Sequence, residues 1–210
     1  MKKSRYSQVL DTVDRYYTEK VLTHGANFMG VDWNSSESQE LRFERLLTVC
    51  DRGGHFSIID YGCGYGRLFG YMKDRGYDFD YTGFDISRVM IEKAVETYGD
   101  NTNCNFLAGE MVEGKADYAV ASGIFNVRLG SSEKAWLGHI IEVITNMDML
   151  SKKGFSFNCL TKYSDKEHMK DYLYYADPCR LFDYCKRRFS RNVALFHDYG
   201  LYEFTIVVRK

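Results

Sequence analysis

The sequence predicts an α/β protein with a doubly wound, mostly parallel sheet and a pair of helices ahead of it. Three observations carry this. Short apolar runs alternate with one-sided helical patterns across residues 56–160. The first run ends in an acid and three alternate glycines, Asp60-Tyr61-Gly62-Cys63-Gly64-Tyr65-Gly66, with a helical pattern directly behind. The chain closes on two β-type runs, 192–196 and 202–208, joined by a turn at His197-Asp198-Tyr199-Gly200, which reads as an antiparallel hairpin.

Taken in order, residues 4–22 form an amphipathic helix, because Tyr6, Val9, Leu10, Val13, Tyr16 and Tyr17 recur at three- and four-residue spacing. His24-Gly25 ends it. An irregular stretch with Phe28, Trp33 and Asn34 follows, and Ser36-Glu37-Ser38-Gln39 has the form of a capping box opening a second helix. That helix has Leu41 or Phe43, Leu46, Leu47 and Cys50 as its apolar face. The core pattern is strand 56–60, helix 65–75, strand 80–85, helix 87–98, strand 104–108, strand 116–122, helix 132–150 and strand 154–160. Ser87 is a suitable N-cap for the helix whose face is Met90, Ile91, Ala94, Val95 and Tyr98. Only five residues separate Glu110 from Ala116, whereas a parallel crossover usually takes a dozen or more. Either the crossover is a tight loop over the sheet, or the third strand ends early. Beyond it, the polar, tyrosine-rich stretch 161–175 is predicted helical from Asp165. Asp177-Pro178 then opens another helix, the acid as N-cap and the proline at the first position.

Composition bounds the function. The 210 residues suit one domain, with 1–52 as a helical N-terminal extension or lid and 53–210 as the core. A formal net charge of −1 gives no general attraction to nucleic acid or an anionic membrane. No apolar stretch approaches the roughly 18 residues of a membrane span, and Met-Lys-Lys-Ser-Arg-Tyr has no signal-type apolar region behind it. The six cysteines, at 50, 63, 104, 159, 179 and 185, include no C-x-x-C pair and read as reduced thiols. A cytoplasmic location is expected.

A strand, a glycine turn and a helix N-terminus together let backbone approach a nucleotide-like ligand. The dinucleotide order G-x-G-x-x-G fails here, since the sixth position is Arg67 counted from Gly62 and Phe69 counted from Gly64. Asp60 at the strand end would also repel a pyrophosphate but attract an ammonium. Asp60 to Gly66 instead resembles the [D/E]-x-G-x-G-x-G first motif of class I S-adenosylmethionine (SAM) dependent methyltransferases. The resemblance covers roughly residues 56–210 and implies a Rossmann-like, seven-stranded sheet whose last strand is inserted antiparallel. It implies SAM as cofactor, held by Asp60, Gly62, Cys63, Gly64 and Gly66. Asp85 with Ile86, about 20 residues past the turn, takes the place of the acid that binds both ribose hydroxyls. Glu110 falls near the adenine and Ser122-Gly123 beside the methionine half. The N-terminal extension lies over the cofactor in such enzymes, which makes Trp33, Asn34 and Arg42 pocket candidates, Arg42 for the cofactor's carboxylate.

Methyl transfer from a sulfonium is an in-line displacement, so positioning and exclusion of water dominate, with a base where the nucleophile is protonated. Candidate bases and orienters are His24, Asn126, His139, Tyr163, Asp177, His197 and Tyr199. Asn126 ranks first because it follows the strand end where substrate groups often lie in the resembled family, and Asn126, His197 and Tyr163 form the expected catalytic set. Phe125, Tyr199, Trp33 and Asn34 are the expected acceptor contacts. The N-P-P-Y type signature of nucleic-acid amino-methylating enzymes is absent, Ser122-Gly123-Ile124-Phe125-Asn126 standing there. No H-x-x-x-H or cysteine–histidine cluster suggests a metal. Lys186-Arg187-Arg188 with Arg191 reads as a helix C-terminus decorated with cations. The expected function is methylation of a small molecule such as a sugar, amino-acid or natural-product intermediate, by a monomer or homodimer without nucleic-acid or membrane partners. The alternatives are aminocarboxypropyl transfer or cyclisation on the same fold, and RNA methylation through the 186–191 cations.

Overall fold

A computed structural model describes residues 6–109 and 112–210. The elements are α1 (Ser7–His24), α2 (Ser36–Leu46), β1 (Phe56–Tyr61), α3 (Arg67–Asp74), β2 (Phe79–Asp85), α4 (Arg88–Tyr98), β3 (Cys104–Ala108), β4 (Ala116–Ala121), α5 (Glu133–Leu150), β5 (Ser151–Leu160), α6 (Pro178–Arg188), β6 (Asn192–Phe196) and β7 (Glu203–Arg209). The strands form one seven-stranded sheet in the order β3-β2-β1-β4-β5-β7-β6. β1 to β5 are parallel, and β7 lies antiparallel between β5 and β6. The Rossmann-like, doubly wound expectation and the inserted last strand are both met.

The side-chain period of two sorts the core into two layers. Ile59, Ala119, Ala121, Ile206 and Val208 face the layer of α5 and α6, while Ile58, Tyr118, Val120 and Val207 face the layer of α3 and α4. α5 contributes Trp136, Ile140, Val143, Ile144 and Met147, all buried, at about 1.5–3 kcal/mol of transfer free energy each. That burial holds the helix against the sheet directly behind the crevice described below.

The chain runs outward from β1 through β2 to β3 and then returns past β1 to β4. This reversal opens a crevice at the carboxyl ends of β1 and β4, the usual ligand position in such sheets. The short return is resolved by distance. β3 and β4 stand three strand spacings apart, so their facing ends are roughly 25 Å from each other, and eight extended steps reach about 28 Å. A helix could not cover that span. On the β4 side of this return, Val112 is buried in the core and its carbonyl accepts from Asn146 Nδ2 at 3.3 Å.

Three local expectations are corrected. The N-cap of α2 is Ser35, one residue before the expected Ser36; its Oγ accepts from Ser38 N at 3.1 Å. β5 starts at Ser151 because the chain turns straight out of α5, and Lys152-Lys153 disguises this strand start. The stretch from Asp165 forms only a 3-10 turn, Lys166–His168. It has no apolar stripe to bury. Its backbone bonds to neighbouring segments instead, with Arg128 N and Leu129 N donating to Tyr172 O and Tyr174 N donating to Asn126 O. Asp177 caps α6 as expected, accepting from Cys179 N and Arg180 N with Pro178 in the first turn.

Candidate active site

The glycine turn is the floor of the crevice. Gly62, Gly64 and Gly66 all have positive φ, at 82°, 54° and 82°. A Cβ on Gly62 would stand 2.1 Å from Ile124 Cγ2, so the turn and the end of β4 approach closely only without a side chain there. The turn is tied to β2 by Gly62 N and Cys63 N, which donate to Phe84 O at 2.7 and 2.9 Å.

Asp85 continues that connection. Its Oδ2 accepts from Gly64 N at 2.8 Å and its Oδ1 from Ser87 N at 2.9 Å. Both oxygens are thus oriented by backbone, the carboxylate is half-buried on the crevice wall, and each oxygen keeps a second acceptor position. Burial pushes its pKa up to about 6, against the backbone donors of Ser87, Gly64 and Ile86, which lower it.

Asp60 lies deeper. Oδ2 accepts from Tyr81 Oη at 2.6 Å, while Oδ1 is buried without a hydrogen-bond partner. Burial raises its pKa to about 7, partly opposed by the Tyr81 bond, with Asp85 adding a smaller upward push. Ser122 Oγ is likewise buried and unbonded. Unsatisfied buried oxygens are costly, and a ligand with donors relieves them. A cationic nucleoside carrying ammonium and ribose donors fits this set of oxygens.

Gly123 N donates to Asn158 Oδ1 at 2.7 Å, and Asn158 Nδ2 donates to Glu203 Oε2 at 3.0 Å. Glu203 receives Arg42, whose guanidinium stacks 4.0 Å from the centre of the Trp33 ring. Trp33 in turn lies over Gly123, where a Cβ would be 2.4 Å from Trp33 Cζ2. The N-terminal segment is thereby fixed to the end of β4. α1 adds Leu10, Val13 and Tyr17 to the crevice, and Thr18 Oγ1 bonds Ser87 Oγ at 2.7 Å.

The expected site residues divide. Asp60, Gly62, Cys63, Gly64, Asp85, Ile86, Ser122, Gly123 and Trp33 all line the one crevice, and Gly66 caps α3 beneath it. Glu110 falls outside the described residues; its neighbour Gly109 is on the wall. Arg42 is corrected: Nε and Nη2 go to Glu203 and Nη1 to Ser38 O, so its fork is taken up within the protein and Arg42 does not line the crevice. The expected catalytic set also does not converge there. Asn126 is buried with Oδ1 accepting from Leu160 N at 3.0 Å, a strand-end tie. Tyr163 and His197 are exposed and pack against each other with tilted rings, centres 6.0 Å apart. Asn34 is exposed. Phe125 is buried behind the wall with its carbonyl accepting from Trp136 Nε1, and Tyr199 bonds Thr205 Oγ1 at 3.0 Å. Lys186 and Arg187 bond Arg191 O and Asp183, and Arg187 and Arg188 border a separate groove between α5 and α6. Among the described residues, the one group of three metal-ligand types, Asp165, Glu167 and His168, is exposed, and none of its members lines the crevice. Sequence reasoning missed Gln39 and the α5 wall of Trp136 and Val143, whose helical spacing gave no signal beyond core packing.

Comparison with known proteins agrees with this geometry. A family model described as a methyltransferase domain matches residues 58–146. A Mycobacterium tuberculosis (strain ATCC 25618 / H37Rv) protein named "Putative methyltransferase Rv1506c" is 55% identical over 164 residues, which is 78% of this chain and 99% of that protein. Among solved structures, human N-acetylserotonin methyltransferase in complex with SAM superposes with a TM-score of 0.67 at 14% identity, covering 99% of this chain and 60% of that one. Magnesium protoporphyrin IX methyltransferase of Synechocystis PCC 6803 with S-adenosylhomocysteine (SAH) gives 0.64 at 13% identity, over 97% and 96%. At such identities the two structures speak to the fold. The chain shares its seven-stranded sheet with these SAH- and SAM-bound structures. The chain belongs to the class I SAM-dependent methyltransferases, and SAM is its cofactor. No helix among the described residues is long and apolar enough to cross a membrane.

Proposed function

We propose that this methyltransferase acts on a small-molecule acceptor held in the inner part of the crevice. The observation that carries this reading is that the crevice lined by Asp60 and Ser122 also has an apolar lining, taken here as an acceptor recess. α1 roofs the recess with Leu10, Val13 and Tyr17, and α5 walls it with Trp136 and Val143. A roofed recess suits a compact body better than a polymer strand. The named acceptors of two proteins of this fold, N-acetylserotonin and magnesium protoporphyrin IX, support a small molecule as well.

When bound, SAM supplies a methyl group on an electrophilic sulfonium. In this reading Asp85 accepts from the two ribose hydroxyls, its oxygens already aimed by Gly64 N and Ser87 N. Asp60 Oδ1 and Ser122 Oγ face the methionine end, where an ammonium would satisfy the buried carboxylate. Gly62 and Gly64 let backbone approach the nucleoside. Residues 1–52 serve as lid and 53–210 as core of one SAM-binding domain, with Trp33 stacked under Arg42 as the fixed edge of the lid.

The test is incubation with methyl-labelled SAM and two acceptor pools, one of small hydroxyl and amine compounds and one of total RNA. Label in the small-molecule pool alone is the expected result. Label in RNA alone would overturn the reading.

A further inference from the structure

α5 places one titratable ring on the wall of the recess. His139 is buried, at 5% exposure, and lines the same crevice as Asp60 and Ser122. Its Nδ1 has no hydrogen-bond partner, a costly condition for a buried polar atom. The ring is held tightly: Trp136 lies 5.1 Å away on the same helix, Phe125 6.4 Å and Tyr6 5.9 Å, centre to centre. Trp136 is itself fixed by Nε1 donating to Phe125 O at 2.8 Å. A rigid ring with an unused nitrogen, beside an apolar recess next to the cofactor turn, has the features of a group kept for a ligand proton.

We propose that His139 is the general base of the transfer, and that the acceptor is an apolar molecule whose hydroxyl donates to His139 Nδ1. This rests on the small-molecule reading above and names the acceptor's reacting group. In the transfer, a lone pair of the acceptor oxygen forms the new bond to the methyl carbon. The carbon–sulfur bond breaks with its electron pair going to sulfur, giving neutral SAH. The hydroxyl proton passes to His139 Nδ1, and the imidazolium later loses it to solvent. No other reactant is needed.

The electrostatics suit an acceptor rather than a donor. Burial lowers the His139 pKa to about 4, against a small upward push from Glu142 on the same helix, so the ring is neutral at physiological pH. The other ionisable groups on the crevice wall are Asp60, Asp85, Cys63, Arg67, Tyr17, Tyr61 and Tyr65, with Tyr6 packed on the ring from the chain before α1. A weak base suffices, because the oxygen becomes an oxonium, far more acidic than imidazolium, as the new bond forms. Of the seven candidate bases and orienters read from the sequence, His139 lines this wall, and Asn126, Tyr163 and His197, the set ranked above it, do not.

The test uses the full chain saturated with SAH and two probes of one shape, phenol and its methyl ether anisole. Histidine-labelled protein is followed by nuclear magnetic resonance, and affinities are measured beside it. Phenol is expected to bind at least ten-fold more tightly than anisole and to shift the His139 Nδ1 signal, which anisole leaves in place. His139→Phe, which keeps a flat ring against Trp136, is expected to erase the phenol preference while SAH affinity stays within about two-fold. It should also lower methyl transfer from SAM to phenol by 10²-fold or more, in the range of general base catalysis. Equal binding of phenol and anisole with an unmoved His139 signal would overturn the base assignment and leave the small-molecule reading standing. Binding of neither probe to protein that still takes up SAH would overturn both. The probe comparison in the unaltered protein keeps the test decisive should the variant fold poorly.

Discussion

Arg42 and Glu203 lie 161 residues apart in the chain and meet as a buried, two-pronged ion pair, Nε to Oε2 and Nη2 to Oε1 both at 2.8 Å. The pair joins α2, ahead of the core, to β7, the last strand. It also orders the end of β4, since Glu203 holds Asn158 and Asn158 holds the Gly123 amide.

Removing one partner exposes the cost of the other. Arg42→Met leaves a carboxylate of 1% exposure unpaired and should destabilise the protein by about 3–5 kcal/mol. Adding Glu203→Gln to that variant should recover most of the loss. Urea unfolding of the two variants checks this, and equal stabilities would contradict the pairing.

Asp85→Ala should weaken SAH binding at least ten-fold, because both ribose hydroxyls lose a charge-assisted partner. The Gly64 amide loses its acceptor in the same step, so the ligand-free protein should also melt a few degrees lower. Calorimetric titration and a melting curve measure the two effects separately.

Gly123→Ala places a methyl 2.4 Å from Trp33 at a φ of 75°. The strained backbone costs on the order of 1–3 kcal/mol, and Trp33 must leave its position under Arg42. Lower stability together with changed Trp fluorescence is the expected outcome; an unchanged emission would contradict the Trp33–Gly123 contact.

Asp60 and Asp85 have folded pKa values of about 7 and about 6, raised chiefly by burial from an unfolded value near about 3.9. Between pH 4 and pH 7 the folded state therefore binds protons that the unfolded chain has lost, and stability falls as pH rises through that window. Asp60→Asn removes most of this, so its stability relative to the native protein should rise from pH 5 to pH 8, by at most about 1.4 kcal/mol for each pH unit crossed. A cationic ligand favours the ionised carboxylates, so native affinity for SAM should increase over the same range. Melting curves and titrations at pH 5, 6, 7 and 8 test both signs.

Much of this architecture was legible because it rests on local chemistry. The glycine turn announces itself by residues that only a left-handed backbone demands, and Ser87 and Asp177 cap the helices that their side chains favour. The 165–175 stretch misled because tyrosine and charge at irregular spacing say little about a segment whose backbone bonds go to residues 126–129. Arg42 was misplaced for a similar reason: its partner is 161 positions away, and nothing near it in sequence points to Glu203. His139 is one of seven candidate bases and orienters in the sequence, with nothing local to set it above the others. Its distinction is a buried nitrogen without a partner, which exists only once α5 is packed against the crevice.

The most direct test is calorimetric titration of the native protein and of Asp85→Ala with SAH, run in parallel at pH 7.5. One site per chain of micromolar affinity in the native protein, weakened at least ten-fold in the variant, is the predicted result. Equal affinity in the two proteins would contradict the placement of the cofactor in the crevice between the ends of β1 and β4.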